Sequence, residues 1–291
     1  MSLLALALVL IAACLHATWN LAAKRVGSGL PFVFAVGVVM SAIYLPIVIG
    51  FAAAGRLSLS PSAAWVIAVS TVLKTGYALY LQRAYRAGDF SLVYPVVRGI
   101  APVLATAGAV LFLGERPTAL GIAGAAVIVV SIFFLNHGER LWQTSDRRGT
   151  PIRHSLGNAI IAGSCIASYT VWDRHAMSGY HLNPVVYDGL TNIGLTVLLL
   201  PFALPRFDAV KQIWRAHRRE VLIMAILSPT AYVLVLTAMT FTPVSYIAPA
   251  REFSILIGAF LGAHVLKEPH SPRRLRCAVA MVLGLTVLAL A

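Results

Sequence analysis

The chain contains ten stretches that read as long and apolar enough to cross a bilayer, and this constrains the fold more than any motif. A membrane-spanning helix needs about 20 apolar residues at about 1.5 Å rise per residue. Such runs fall at 2–23, 31–52, 64–82, 90–113, 119–136, 155–174, 184–204, 220–240, 244–266 and 275–290. Lipid offers no hydrogen-bond partner to an open backbone, so each run is expected to be a helix. Composition points the same way. Of 291 residues, 59% are apolar and 11% charged, against about 25% charged in a soluble domain. The expected fold is all-α and polytopic, with the lipid bilayer as its solvent.

The formal charge of +13 does not point to nucleic acid. The basic residues sit in short loops between apolar runs, and no aromatic-studded basic groove accompanies them. Cys14, Cys165 and Cys277 each lie inside an apolar run and form no CxxC pair, so they read as packing residues. No metal or cofactor motif is present. Ser2 to Ala17 has the look of a signal peptide. No basic residue precedes Lys24, however, and the apolar run continues to Ala23, so it reads as a first span.

An internal repeat organises the spans. Ser91 to Pro95 matches Ser245 to Pro249, Leu113-Gly-Glu115 matches Leu266-Lys-Glu268, and Trp19-Asn20 matches Trp172-Asp173, at offsets of 153 or 154. The expected division is a first five-helix unit at 1–137, a basic linker at 138–154 and a second unit at 155–291. An odd number of helices per unit turns the second half upside down. This is the inverted-repeat plan of secondary transporters, with the site near the midplane between the halves.

Orientation follows from the loops. Seventeen Lys and Arg residues lie in odd-numbered loops and three (Arg56, Arg116, Arg174) in even-numbered ones. The positive-inside rule then puts the odd loops in the cytoplasm and, with ten spans, both termini outside.

Several charges lie deep in spans, where each costs about 2.5–3.5 kcal/mol on insertion scales. Arg98 follows Pro95 by three residues, and Glu252 follows Pro249 by three. The repeat puts them at equivalent points, which implies a buried ion pair facing a shared cavity. A one-residue shift would pair Arg98 with Arg251 instead. Arg251 adds a second positive charge, and one carboxylate facing two guanidiniums leaves room for a solute carboxylate or phosphonate. Lys74, in the third span with Tyr77, is far from both ends and reads as inward-facing or snorkelling. Asp173 is either in the cavity or paired with its neighbour Arg174. His16 and Asn20 share a helix face beside Trp19, and His16 or Glu252 is a conceivable proton carrier. Tyr94, Tyr169, Trp172, Tyr187, Tyr232 and Tyr246 are candidates for an aromatic lining. Asp188 is a polar intrusion with no evident partner. Gly258 and Gly262 form a GxxxG that could mark a homodimer face or internal packing.

These residues resemble a known family. His16-Ala-Thr-Trp19-Asn20, Tyr94-Pro95-Val-Val-Arg98-Gly99, Leu113-Gly-Glu115-Arg116 and Ala250-Arg251-Glu252 together resemble the EamA-like, ten-helix branch of the drug/metabolite transporter superfamily, over nearly the whole chain. The resemblance implies a secondary transporter, often an exporter, of amino acids or other small polar metabolites. It implies a location in the inner (plasma) membrane and a central cavity between the halves. Relatives of this subgroup associated with phosphonate metabolism imply an anionic solute. The chain departs from many members in its second loop, which carries only Arg56. The alternative is an integral membrane enzyme, or an accessory subunit, acting on a lipid-linked substrate. No HxxxH, DxD, GxSxG or Walker motif supports it.

The loop count makes one prediction. A reporter fused after Ala291 is expected to report an extracytoplasmic C-terminus, and a cytoplasmic signal would contradict the orientation or the helix count.

Overall fold

The computed structural model describes residues 1–26, 29–57, 59–87, 90–135, 152–258 and 272–291. All of their regular structure is helical. The helices are α1 (Leu3–Val26), α2 (Leu30–Ala53), α3 (Pro61–Ala87), α4 (Phe90–Leu113), α5 (Ala119–Leu135), α6 (Ile152–Gly179), α7 (Pro184–Ala203), α8 (Phe207–Phe241), α9 (Val244–Arg251) and α10 (Pro272–Leu290). Each helix overlaps one of the expected spans. Most of the basic linker, Glu268 and Gly262 lie outside the described residues.

Five described stretches are long and apolar enough to cross a membrane: Leu3–Ala23, Leu30–Ala53, Pro61–Ala87, Val96–Leu113, and Pro184–Phe241, which joins α7 to α8. Ala119–Phe134 and Arg276–Leu290 are apolar but shorter. The polarity runs opposite to that of a soluble protein. Leu111 and Phe112 are 76% and 82% exposed, whereas Lys74, Arg98, Asp173, Asp188, Arg251 and Glu252 are buried. An apolar exterior around a charged interior is stable in hydrocarbon and costly in water.

Local chemistry sets the helix ends. Asn183 caps α7, its side-chain oxygen accepting from the N–H groups of Val185 and Val186 at 3.0 and 3.3 Å, and Pro184 follows at the first turn. Gly114, at φ +65°, turns the chain after α4. α8 bends at His217 (φ −133°, ψ 29°), and its charged residues end three positions later, at Glu220.

The packing shows the two halves. α3 packs on α6, and its repeat equivalent α8 packs on α1. α2, α4 and α5 each pack on their own equivalents, α7, α9 and α10. Directions alternate as successive crossings require. Along α2, Ser41 meets Thr196 and Tyr44 meets Asp188, so α7 runs the other way. Val66 meets Trp172, and Gly76 lies against Cys165, which makes α3 and α6 antiparallel.

α5 and α10 come close enough to touch backbones. A Cβ on Gly124 would stand 2.7 Å from the Leu288 nitrogen and 2.8 Å from the Gly284 oxygen. Gly50, on α2, has nothing within 4 Å of the same position. Gly124→Ala is therefore expected to destabilise by about 1–3 kcal/mol through overpacking, whereas Gly50→Ala is neutral or stabilising by up to about 1 kcal/mol. Thermal unfolding of the two purified variants in detergent checks the contrast, and equal midpoints would contradict it.

Candidate functional site

The site is built where the halves meet. α4 brings Arg98 to the seam, and α9 brings Arg251 and Glu252. The ninth span does not continue as one straight helix from 244. Pro249 has no N–H to donate to the Ser245 carbonyl, and the ladder breaks three residues later. The Glu252 N–H turns back to the Pro249 carbonyl at 3.1 Å, and the chain is helical again over 253–258. Arg251 and Glu252 thus stand at the end of a short helix. That is the broken-helix geometry from which transporter sites are made.

Arg98 Nη1 donates to Glu252 Oε1 at 3.2 Å, with the side chains 11% and 1% exposed. The two residues are 154 positions apart, so the repeat-derived pair forms in the register expected of it. Arg98 Nη2 also contacts His16 Nε2. A guanidinium has only donors, so that nitrogen of His16 must accept, which makes the imidazole neutral with its proton on Nδ1. The Trp19 ring stands edge-on to His16 at 4.6 Å, and the Arg98 guanidinium lies 5.7 Å from the Tyr94 ring centre. Asn20 turns back on its own helix, its amide nitrogen donating to the His16 carbonyl at 2.8 Å.

The seam is incompletely satisfied. Trp19 Nε1, Arg251 Nε and Glu252 Oε2 are buried without a hydrogen-bond partner among the described residues. Arg251 is 8% exposed and makes no ion pair there. Buried polar groups normally find partners, because leaving one unmet costs about 1–3 kcal/mol and more for a charge.

A second charged set lies on α3, α6 and α7. Lys74 Nζ is 3.3 Å from Asp173 Oδ2 and 3.9 Å from Asp188 Oδ1, and it donates to Thr191 Oγ1 at 3.0 Å. Its ammonium also stands over the rings of Tyr232, Tyr187 and Tyr169 at 4.7, 5.4 and 5.9 Å. Asp173 accepts three hydroxyl bonds at 2.6 Å, from Ser70, Tyr187 and Tyr232. Tyr44 donates to Asp188 Oδ2 at 2.6 Å. Tyr169 bridges outward, its ring 6.1 Å from Tyr77 and 6.2 Å from Tyr232.

Several sequence readings change here. Lys74 faces inward and does not snorkel. Asp173 pairs with Lys74 and not with Arg174, because the last turns of α6 aim successive residues about 100° apart. Trp172 packs between helices, its indole donating to the Val66 carbonyl at 2.8 Å. Tyr246 receives the Thr118 N–H at 3.1 Å, away from both charged sets. Asp188 gains partners that its sequence neighbourhood did not show. Ser70, Tyr44 and Thr191 were missed, since lone hydroxyls in apolar helices carry no sequence signal.

Glu115 also has a specific task. Its two oxygens accept from the Val244 and Ser245 N–H groups at 2.8 and 2.9 Å, capping α9 from the opposite half. Arg174 Nε approaches the same carboxylate at 3.7 Å and its Nη1 reaches the Met239 carbonyl.

A multi-pass helical protein with two packed halves, an apolar exterior and buried charges drawn from both halves is the architecture of a membrane transporter. The EamA-like transporter family model matches twice, over residues 3–137 and 155–290, and the chain belongs to that family. It is a membrane transporter of small solutes, in a family of transporters and not of enzymes. No curated protein sequence matches it significantly. A crystal structure described only as that of a protein shares the fold, with a TM-score of 0.76 at 17% identity over 98% of this chain and 96% of its own.

The Glu115 cap generates a stability prediction. Glu115→Ala strips two N–H groups and Arg174 of their acceptor, and is expected to cost about 1–3 kcal/mol. A fall in the detergent unfolding midpoint checks this, and an unchanged midpoint would refute the cap.

Proposed function

We propose that the protein is a secondary active transporter for a small polar metabolite carrying a carboxylate or phosphonate, and that the solute binds at the seam beside Arg251. In this reading the chain crosses the inner (plasma) membrane ten times, as units 1–137 and 155–291 joined by the basic segment 138–154. The carrying observation is the buried Arg251, which makes no ion pair among the described residues and whose Nε has no hydrogen-bond partner there. Arg98, Arg251 and Glu252 with a neutral His16 leave one positive charge unmatched at the seam. A planar anion accepting two parallel N–H bonds would complete it. Glu252 Oε2, also unmet, would accept from an amino or hydroxyl group on the same solute, and Trp19 Nε1 would donate to one of its oxygens, which favours amino acids and related organic acids. Tyr77, Tyr94, Tyr169 and Tyr232 supply aromatic wall.

A cavity of about 260 Å³ lies between α2, α3 and the end of α7. Gln82, Arg83, Arg86 and Arg206 line it, and such a basic mouth concentrates anions.

The test is flux in proteoliposomes over a panel of labelled amino acids, organic acids and phosphonates. At least one anionic solute is expected to move. Arg251→Gln is expected to slow it about tenfold or more, as loss of one charge-assisted contact worth about 1.5–3 kcal/mol implies. Arg98→Ala and Glu252→Ala are expected to abolish it while still inserting. Unimpaired flux in all three variants would sink the proposal.

A further inference from the structure

Lys74, Asp173 and Asp188 are buried together, with side chains 10%, 0% and 2% exposed. Two carboxylates and one ammonium leave the set one negative charge in excess, inside a span where an uncompensated charge is costly. The two carboxylates are not equivalent. Asp173 has about four acceptor sites as an anion, and three hydroxyls and Lys74 fill them. Asp188 has one hydroxyl on Oδ2, while Lys74 stands 3.9 Å from Oδ1, beyond hydrogen-bond reach. Asn192, one turn on, gives its amide to the Asp188 backbone carbonyl at 2.8 Å and also lies close enough to act on the Asp188 carboxyl, which still has fewer partners than that of Asp173. The remaining titratable groups that face the set are Tyr44, Tyr187, Tyr232 and Tyr169, from α2, α7, α8 and α6; the first three donate to its carboxylates, and the Tyr169 ring lies 5.9 Å from the Lys74 ammonium.

The excess negative charge has a counterpart. The seam carries one excess positive charge, and α9, which carries Arg251, packs on α6 and α8, which carry Tyr169, Asp173 and Tyr232; Tyr232 donates to Asp173, and its ring lies 6.2 Å from that of Tyr169. While Arg251 is unmatched, the two excesses offset one another through the tyrosines. When an anion neutralises Arg251, the negative excess stands alone, and the underfilled Asp188 Oδ1 is where a proton from water restores neutrality.

We propose that Asp188 is a proton site, held by Lys74 and Asp173 and linked electrically to Arg251 across Tyr169 and Tyr232, so that a solute anion and a proton occupy the protein together. The linkage to transport rests on the solute reading above. It assigns the proton to Asp188 and not to His16 or Glu252. An imidazolium at His16 would face Arg98, and a protonated Glu252 would abandon its ion pair. One proton per monovalent anion makes the loaded protein's charge equal to that of the empty one, so the translocated load is electroneutral.

The test needs no solute. Infrared titration of the purified wild-type protein is expected to show a buried protonated-carboxyl band at low pH. The band should vanish in Asp188→Asn, and Asp188→Glu, which keeps a carboxyl, should retain a shifted one if the fold is intact. Arg251→Gln removes the offsetting charge as an anion would, and should raise the band's titration midpoint by about one pH unit or more. The proposal is overturned by absence of the band in wild type, by its survival in Asp188→Asn, or by an unmoved midpoint in Arg251→Gln. Because the readout is protonation alone, it can succeed even where the flux test fails.

Discussion

The junction of the two halves depends on one buried ion pair. Arg98 from α4 and Glu252 from α9 meet at 3.2 Å, and each charge offsets part of the cost of burying the other. Taking two ions out of water costs several kcal/mol each, and their attraction offsets this only where geometry is good and other hydrogen bonds are met. Here the second condition is only half fulfilled. His16 accepts from Arg98, but Glu252 Oε2 has no partner. The pair therefore fixes where the halves join and leaves the junction chemically incomplete. An incomplete buried site is poor as a structural staple and well suited to taking a ligand.

The break in α9 follows from the same requirement. A straight helix through Pro249 would bury Glu252 on a continuous hydrogen-bonded ladder. The freed Ser245 carbonyl and the turn at Glu252 place Arg251 and Glu252 at a helix end, where a guanidinium also benefits from the negative pole of the dipole. Glu115 stabilises the opposite end of the same short helix from the other half. Both ends of α9 are thus held by α4 and its following turn, so movement of one half against the other must act on the site.

The repeat made the Arg98–Glu252 contact legible, because a constant offset converts one position into its partner without any knowledge of packing. The helices were legible because hydrocarbon permits little else. The Lys74 set was legible only in part. Asp173 and Lys74 belong to different halves but not to equivalent positions, so no periodicity connects them. Tyr44 and Ser70 reach the carboxylates through tertiary packing that no local pattern encodes. Trp172 shows a related limit of the repeat. It matches Trp19 in the repeat, yet Trp19 stands by His16 while Trp172 donates to the backbone of α3. Equivalent positions share a location more faithfully than they share a partner.

The central claim is that Arg251 receives a solute anion, and ligand-dependent stability of the purified protein tests it most directly. A thermal-shift screen over carboxylate, phosphonate and neutral solutes should find an anionic solute that stabilises wild type. That stabilisation should be lost in Arg251→Gln and partly kept in Arg251→Lys. An anion that stabilises wild type and Arg251→Gln equally, or a screen in which only neutral solutes stabilise, would contradict the account.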